Sequence, residues 1–470
     1  MNQQLLDACE QGNIEDVKQF FNNHPKINPN DRILFSQTPL ILACRNGHIE
    51  IVTFLLKHKR IDVNKGEEDG GATPFYIACK KGHIEIVKLL INDDRVDVNK
   101  SNKSGVIPLY IACYDGNTEI VKLLLSNERM DVNKEIYDGT TPLHTACYQG
   151  HIEIVKLLIN DKRIERNKAD YEWKRTPFYI ACQEGHIEVV KVLLNDERVD
   201  INQEDNVGQT PLYIACENED IDIVKVLLDD KRVDVNKSMT YDGWITKTPF
   251  FHVCFQGYVE IVELFLNDAR VDINKPNMNG VTPFCRACEN GQVEVVKLLL
   301  NDQRIDFNKS NNRGESPLWI ACYQGRIEVV KLLINDKRIE MNKEDNEWKR
   351  TSFYNACYYG RIEMIKLFLN DQRVDINKPN IDGKSPVYIV CESKKLSILQ
   401  YILASGREIN VMTKNNEGKN AIDISREKDH KDIIKLLESF QENPFEMRFL
   451  LRKQLGFTGK FILFFKKRLF

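Results

Sequence analysis

"TPLILACRNGHIEIVTFLL", residues 38–56, holds two short helices and the turn between them. Thr38 suits an N-cap, because its hydroxyl can accept a hydrogen bond from an orphan backbone N–H. Pro39 suits the first helical position, where a missing N–H costs nothing. Leu40, Ala43 and Cys44 share one face at i, i+3 and i+4. Gly47 ends this helix, since glycine takes positive φ freely. Ile49, Val52, Leu55 and Leu56 then make the apolar stripe of a second helix. The following "KRIDVNK" (59–65) and its polar, Gly-containing sequel have the chemistry of a turn or hairpin.

The same pattern begins again at Thr73, Ile107, Thr141, Thr176, Thr210, Thr248, Thr282, Ser316, Thr351, Ser385 and Asn420. The spacing is 34 or 35 residues throughout, apart from one step of 38 after Thr210. Upstream, "LLDACEQGNIEDVKQFF" from Leu5 matches the middle of a repeat without its Thr-Pro. Helices of about ten residues are marginal alone in water. Each pair must therefore bury its stripe against its neighbours, and stability becomes a sum of repeat and interface contributions. That resolves a problem of size, because 470 residues are too many for one ordinary core.

The recurring Thr-Pro-Leu-x-x-Ala-x-x-x-Gly-His-x-Glu-x-Val-x-x-Leu-Leu, followed by Asp-Val-Asn, resembles the ankyrin repeat over roughly residues 3–437. The resemblance implies an all-α repeat solenoid: stacked helix-turn-helix units, short β-hairpin or loop fingers, and a concave face lined by fingers and first helices. Tyr76, Tyr110, Tyr179 and Tyr213 stand where the family favours His, which His144 keeps. Three segments are expected. Residues 1–37 form an N-terminal capping half-repeat and linker, 38–441 an array of twelve repeats, and 442–470 a short basic, Phe-rich helix and tail.

Twelve of the 13 cysteines occupy one column beside the repeat Ala. Successive copies should lie about 8–10 Å apart, beyond the roughly 7 Å Cα separation a disulfide spans. They are read as small buried hydrophobes. Cys285 adds a Cys-x-x-Cys with Cys288, but no second pair exists and the motif falls inside a predicted helix. Cys285 is read as a replacement for Tyr. His48, His83, His151 and His186 follow the repeat Gly, and the resemblance implies that they pack and hydrogen-bond at the turn between helices. No nucleophile–base set, phosphate loop or metal cluster rises above the repeat, so no enzyme activity and no cofactor are expected. A column of Arg (Arg60, Arg95, Arg129 and counterparts to Arg407) precedes acids at i+1 or i+2 and reads as a solvated edge of paired charges. With a net charge of −3, no nucleic-acid partner is expected. The Asn column (Asn64, Asn99, Asn133 to Asn377) is expected to bond backbone in the fingers.

Columns that vary are free for a partner. The two residues after each repeat Cys vary, and the resemblance places them on the concave side. Aromatics concentrate there in repeats three and four (Tyr114, Tyr148) and nine and ten (Tyr323, Tyr358, Tyr359). Beside each cluster stands the same finger, "YEWKR" (171–175) and "NEWKR" (346–350), with Lys174 and Lys349 where other fingers carry Gly. Two aromatic–cationic patches follow: Tyr114, Tyr148, Trp173, Lys174 and Arg175, and Tyr323, Trp348, Lys349, Arg350, Tyr358 and Tyr359. Five repeat steps, about 40–50 Å, would separate them, so that they could grip two copies of an acidic motif. The alternative is a duplicated block, since residues 146–165 and 321–340 are nearly identical. Trp244 and Phe255 join the candidate partner-binding residues.

Repeat six carries Glu219-Asp220 in place of Gly-His, and the longest finger, "SMTYDGWITK" (238–247), follows. Residues 216–250 are expected to be the softest interface. Asn443-Pro444-Phe445-Glu446 predicts a helix to Leu455, stopped at Gly456. From Phe445 onward there are seven basic residues, one acid and seven Phe. Either the helix packs on the last repeat while the extreme end is loose, or the tail docks on a membrane surface or a partner. The chain is read as a non-catalytic scaffold for one or more partner proteins, monomeric and cytoplasmic. The alternatives are a membrane-targeting adaptor acting through the tail and a substrate receptor of a modifying complex.

Overall fold

A computed structural model describes residues 2–31, 37–241 and 245–456. The described residues carry 27 helices and two three-residue strands. No helix among them is long and apolar enough to cross a membrane. The chain divides into two compact bodies, Met1–Asp242 and Gly243–Phe470. The first holds seven helix pairs, from Asn2–Gln11 with Ile14–Asn23 to Pro211–Glu217 with Ile221–Asp229, and then the strand Met239–Tyr241. The second opens on the strand Ile245–Lys247 and runs through six pairs, from Pro249–Gln256 with Val259–Asn267 to Ala421–Glu427 with Lys431–Glu442. It ends on the helix Pro444–Gln454. The amino-terminal segment builds both helices of a pair even without Thr-Pro. Among the described residues the remaining fingers are turns, not strand hairpins.

Local chemistry sets the helix ends. Thr73 Oγ1 accepts from the Tyr76 N–H at 3.1 Å, Pro74 fills the first position, and Gly82 closes the helix at φ 76°. Ile107 has no cap hydroxyl, and there Pro108 opens the helix alone. Within each body, first helices pack on first helices and second on second, as Pro39–Asn46 does on Pro74–Lys81. Leu40, Ala43, Cys44, Val52 and Leu55 are buried, and full burial of a Leu contributes about 1.5–3 kcal/mol. The expected stripe of the second helix needs one correction: Ile49 is 39% exposed, and Ile51 is fully buried instead. Ile51, Val52 and Leu55 make a tighter face than the spacing suggested, because Ile49 is the first residue after the turn. All thirteen cysteines are buried and free. Burial pushes their thiols up, Cys9 to about 12, which keeps them protonated and unreactive.

Three polar columns stitch successive repeats. The Arg column is paired and partly exposed as expected, but its acid lies before the Arg and a further bond reaches the neighbouring repeat. Arg95 pairs with Asp93, two residues before it, at 2.6 Å, and donates to the Leu56 carbonyl at 2.8 Å. That carbonyl ends the preceding second helix, so the Arg caps a helix in the neighbouring repeat. Arg163 repeats this with Asp161 and the Leu125 carbonyl, and Arg338 with Asp336 and the Leu300 carbonyl. The acid that follows the Arg has another use: Asp97 Oδ1 accepts from the Asn99 N–H at 3.0 Å. The Asn column bonds finger backbone as expected, across repeats. Asn64 Nδ2 donates to the Arg95 carbonyl at 2.7 Å, and its Oδ1 accepts from the Asp97 N–H at 2.8 Å. The His column reaches back to the previous first helix, His83 to the Arg45 carbonyl at 3.0 Å. Where His is missing, another donor serves, such as Gln292 to the Phe255 carbonyl and Arg326 to the Glu289 carbonyl, both at 2.9 Å.

The terminal helix Pro444–Gln454 is capped by Asn443, whose Oδ1 accepts from the Glu446 N–H at 3.1 Å. It lies against Leu396–Ala404 and Lys431–Glu442. Leu451 is buried, Arg452 Nε donates to the Ala404 carbonyl at 2.7 Å, and Arg448 donates to the Arg407 carbonyl at 3.0 Å. Residues 457–470, with most of the basic and Phe-rich run, lie outside the described residues.

Candidate functional site

An ordinary finger closes over four residues. Asn380 donates its N–H to the Lys384 carbonyl at 3.0 Å, and Gly383 takes φ 76°. The two Glu-Trp-Lys-Arg fingers are one residue wider. The Asp170 N–H reaches the Arg175 carbonyl at 3.0 Å, and the Asp345 N–H reaches the Arg350 carbonyl at 3.2 Å. Lys174 and Lys349 occupy the glycine's place at φ 60° and 53°. A side chain in that left-handed region costs about 1–2 kcal/mol. The aspartate offsets this by bonding the turn: Asp170 accepts from the Trp173 N–H at 2.9 Å, and Asp345 from the Trp348 N–H at 2.6 Å. The extra residue turns Trp173 and Trp348 outward, 45% and 43% exposed, while their carbonyls accept from Asn206 and Ile381 of the next finger.

In the second body, fingers and first helices together line a groove of about 550 Å³. Tyr323, Trp348, Arg350 and Tyr359 all line it, with Trp319, Arg286 and Glu289. Trp319 stacks on Tyr323 at 5.6 Å and donates its indole N–H to the Arg350 carbonyl at 3.0 Å. Tyr359 meets Tyr323 edge-on at 5.2 Å and Tyr358 at 4.9 Å. The Arg350 guanidinium lies 4.7 Å from the Tyr358 ring and 5.0 Å from Trp348. Tyr358 joins the cluster through Arg350 without lining the groove, and Lys349 points to solvent outside it. Phe255 is half-buried between Lys247 and Arg286, each 5.5 Å from its ring.

In the first body a smaller cleft, about 230 Å³, brings together Tyr114, Tyr148 and Arg175 with His144 and Thr145. Tyr114 and Tyr148 are 48% and 53% exposed. Arg175 Nε pairs with Asp170 at 2.9 Å. Trp173 and Lys174 lie in the finger but do not line the cleft. His144 is fully buried, and its ring bonds the Thr141 N–H and the Arg175 carbonyl, each at 3.1 Å. Burial pulls its pKa down to about 4. Trp244 lies outside the described residues.

A family model described as ankyrin repeats, three copies per match, fits residues 5–102, 95–170, 162–239, 250–345, 304–380 and 353–444. The chain is an ankyrin-repeat protein. No curated protein matches it. Ankyrin repeats are in general protein–protein interaction modules. In this ankyrin array a further column, besides the two residues after the repeat Cys, varies along the groove and the cleft. Two residues before the repeat Cys, from the Thr73 repeat onward, Ile77, Ile111, Ile180, Ile214, Ile320 and Ile389 hold one position, and Thr145, His252, Arg286 and Asn355 break it. Thr145 and Ile180 line the cleft, and Arg286 and Ile320 line the groove. Arg286 pairs with Glu289 at 2.7 Å. Asn355 is 1% exposed, and neither amide atom has a hydrogen-bond partner among the described residues. The signal was present as four polar letters in an Ile column. Cys285 holds the column of Tyr76 and Tyr179, its N–H bonded to Thr282 Oγ1 at 3.1 Å. It packs with Phe251, Val281, Trp319 and Ile320.

Proposed function

We propose that this ankyrin array is a non-catalytic scaffold that binds one or more partner proteins through its fingers and first helices. One observation carries the reading: in each body, exposed tyrosines of the column after the repeat Cys share a concavity with the arginine of a Glu-Trp-Lys-Arg finger. Tyrosine gives stiff, amphipathic contact area at low entropic cost, and Arg adds directed charge. The conspicuous Arg column supports a protein partner over nucleic acid, because its charges are spent on aspartates and helix-end carbonyls inside the array. In this reading the chain works as a monomer in the cytoplasm without a cofactor. Affinity purification on the full chain, compared with Tyr114→Ala/Tyr148→Ala and Tyr323→Ala/Tyr359→Ala, tests it. Each double substitution should deplete a set of recovered proteins. Recovery identical to that of the unaltered chain in both cases would refute the assignment of these surfaces.

A further inference from the structure

The two fingers share four letters, yet their arginines do different things. Arg175 is neutralised by Asp170 at 2.9 Å. Arg350 has the same aspartate five residues before it, but no carboxylate among the described residues lies within ion-pairing distance of its guanidinium. Its Nε is buried without a hydrogen-bond partner. The guanidinium lies instead among three aromatic rings, 4.7 Å from Tyr358, 5.0 Å from Trp348 and 5.8 Å from Tyr354. The cause is legible one helix away. The residue after the repeat Cys is Gln183 in the first case and Tyr358 in the second, and an aromatic face attracts a guanidinium where an amide does not. Aromatic faces hold the cation but accept hydrogen bonds only weakly, so its N–H donors keep their capacity for a carboxylate.

The surrounding charges leave that capacity unanswered. Glu289 is held by Arg286 at 2.7 Å, Glu315 by Asn311 at 2.6 Å, and Asp345 by the N–H groups of its own turn. The exposed Glu347 and Arg313 also line the groove, and Glu347 lies outside ion-pairing distance of the Arg350 guanidinium. Tyr323 and Tyr359, 42% and 40% exposed, add ring surface along the same groove. We propose that this groove docks an acidic segment of a partner protein, with a carboxylate on Arg350 and an adjacent aromatic side chain against Tyr323 and Tyr359. The proposal rests on the scaffold reading and narrows it to one peptide chemistry at one of the two fingers.

Fluorescence anisotropy of a labelled Glu–Tyr random copolymer with the full chain tests it, with a Lys–Tyr copolymer as the opposite charge. The Glu–Tyr copolymer should bind, more weakly as salt is raised. Arg350→Gln and Tyr358→Gln should each weaken binding about tenfold, the scale of one charge-assisted contact. Lys331→Gln, which removes an exposed charge paired with Glu328 in the same body, should leave it unchanged, and all variants should keep the far-UV helical signal. No binding by the unaltered chain, preference for the Lys–Tyr copolymer, or an equal loss with Arg175→Gln would overturn the proposal. If Tyr323→Ala/Tyr359→Ala depletes recovered proteins while the Glu–Tyr copolymer never binds, this proposal fails and the scaffold reading stands.

Discussion

Asn308 offers the sharpest test of the claim that the fingers are latched to one another. Its Nδ2 donates to the Arg338 carbonyl at 2.8 Å, and its Oδ1 accepts from the Glu340 N–H at 2.8 Å. Asn308→Ala deletes both bonds while the bond from the Asn308 N–H to Asp306 Oδ1 remains. A protein hydrogen bond contributes about 0.5–1.5 kcal/mol net, so two would give about 1–3. The site is open enough for water to replace part of the loss, which places the expectation at about 1–2 kcal/mol. A repeat array need not unfold in two states, so a melting midpoint is a poor readout. Hydrogen exchange reads the opening directly. The peptide carrying the Glu340 amide should exchange about 5- to 30-fold faster, since about 1.4 kcal/mol corresponds to tenfold. The equivalent peptide around Asp131, latched by Asn99 in the other body, should not change. Asn308→Asp keeps the acceptor and should restore most of the protection at Glu340. Unaltered exchange in Asn308→Ala, or a loss spread evenly over both bodies, would refute the latch.

Asn355→Ile should slow hydrogen exchange across the helix Ser352–Tyr359, because it removes two buried, unbonded amide atoms that cost about 1–3 kcal/mol and restores the residue usual in that column; faster exchange would show that Asn355 has a partner. His144 binds its proton less readily folded, near pH 4, than unfolded, near 6.5. Its contribution is therefore complete above about pH 6.5 and is lost as pH falls toward about 4, so His144→Tyr should flatten the acid side of the stability curve in that window. Glu219 stands at φ 58° where most repeats place Gly. Glu219→Gly should slow hydrogen exchange across residues 216–230, and faster exchange would show that the left-handed turn carries no cost there.

Much of this was legible because a repeat states each structural demand twelve times. Thr38-Pro39 and Gly47 give the ends of a first helix from local chemistry alone, and the cysteine column declares its burial by recurring beside Ala. What escaped depends on contacts between residues far apart in sequence. Arg95 has acids on both sides along the chain, and only the turn decides that Asp93 is its partner. Its second partner, the Leu56 carbonyl, leaves no letter at all because every residue has a carbonyl. Ile49 and Ile51 are equally apolar, and exposure of the residue beside the turn separates them. The fingers make the point most plainly. Identical Trp-Lys-Arg letters predict identical patches, yet Gln183 and Tyr358, on the adjoining first helices, send one arginine to a carboxylate and the other to aromatic rings. Lys174 and Lys349 could be read correctly as residues in a glycine's place. What their turns present to solvent required the neighbouring helix.

The carbonyls at the end of Leu396–Ala404 would take an arginine from the turn after the twelfth repeat's second helix, which has none, and Arg452 from the terminal helix takes that part. The array therefore has a grammar with a full stop. A block inserted in its interior would find donors waiting on one side and acceptors on the other, as the near-identity of residues 146–165 and 321–340 would require of an internal copy. A block appended after Gln454 would meet carbonyls already answered. Adding a repeat is thus open in the middle of the array and blocked at the face that the helix Pro444–Gln454 already covers.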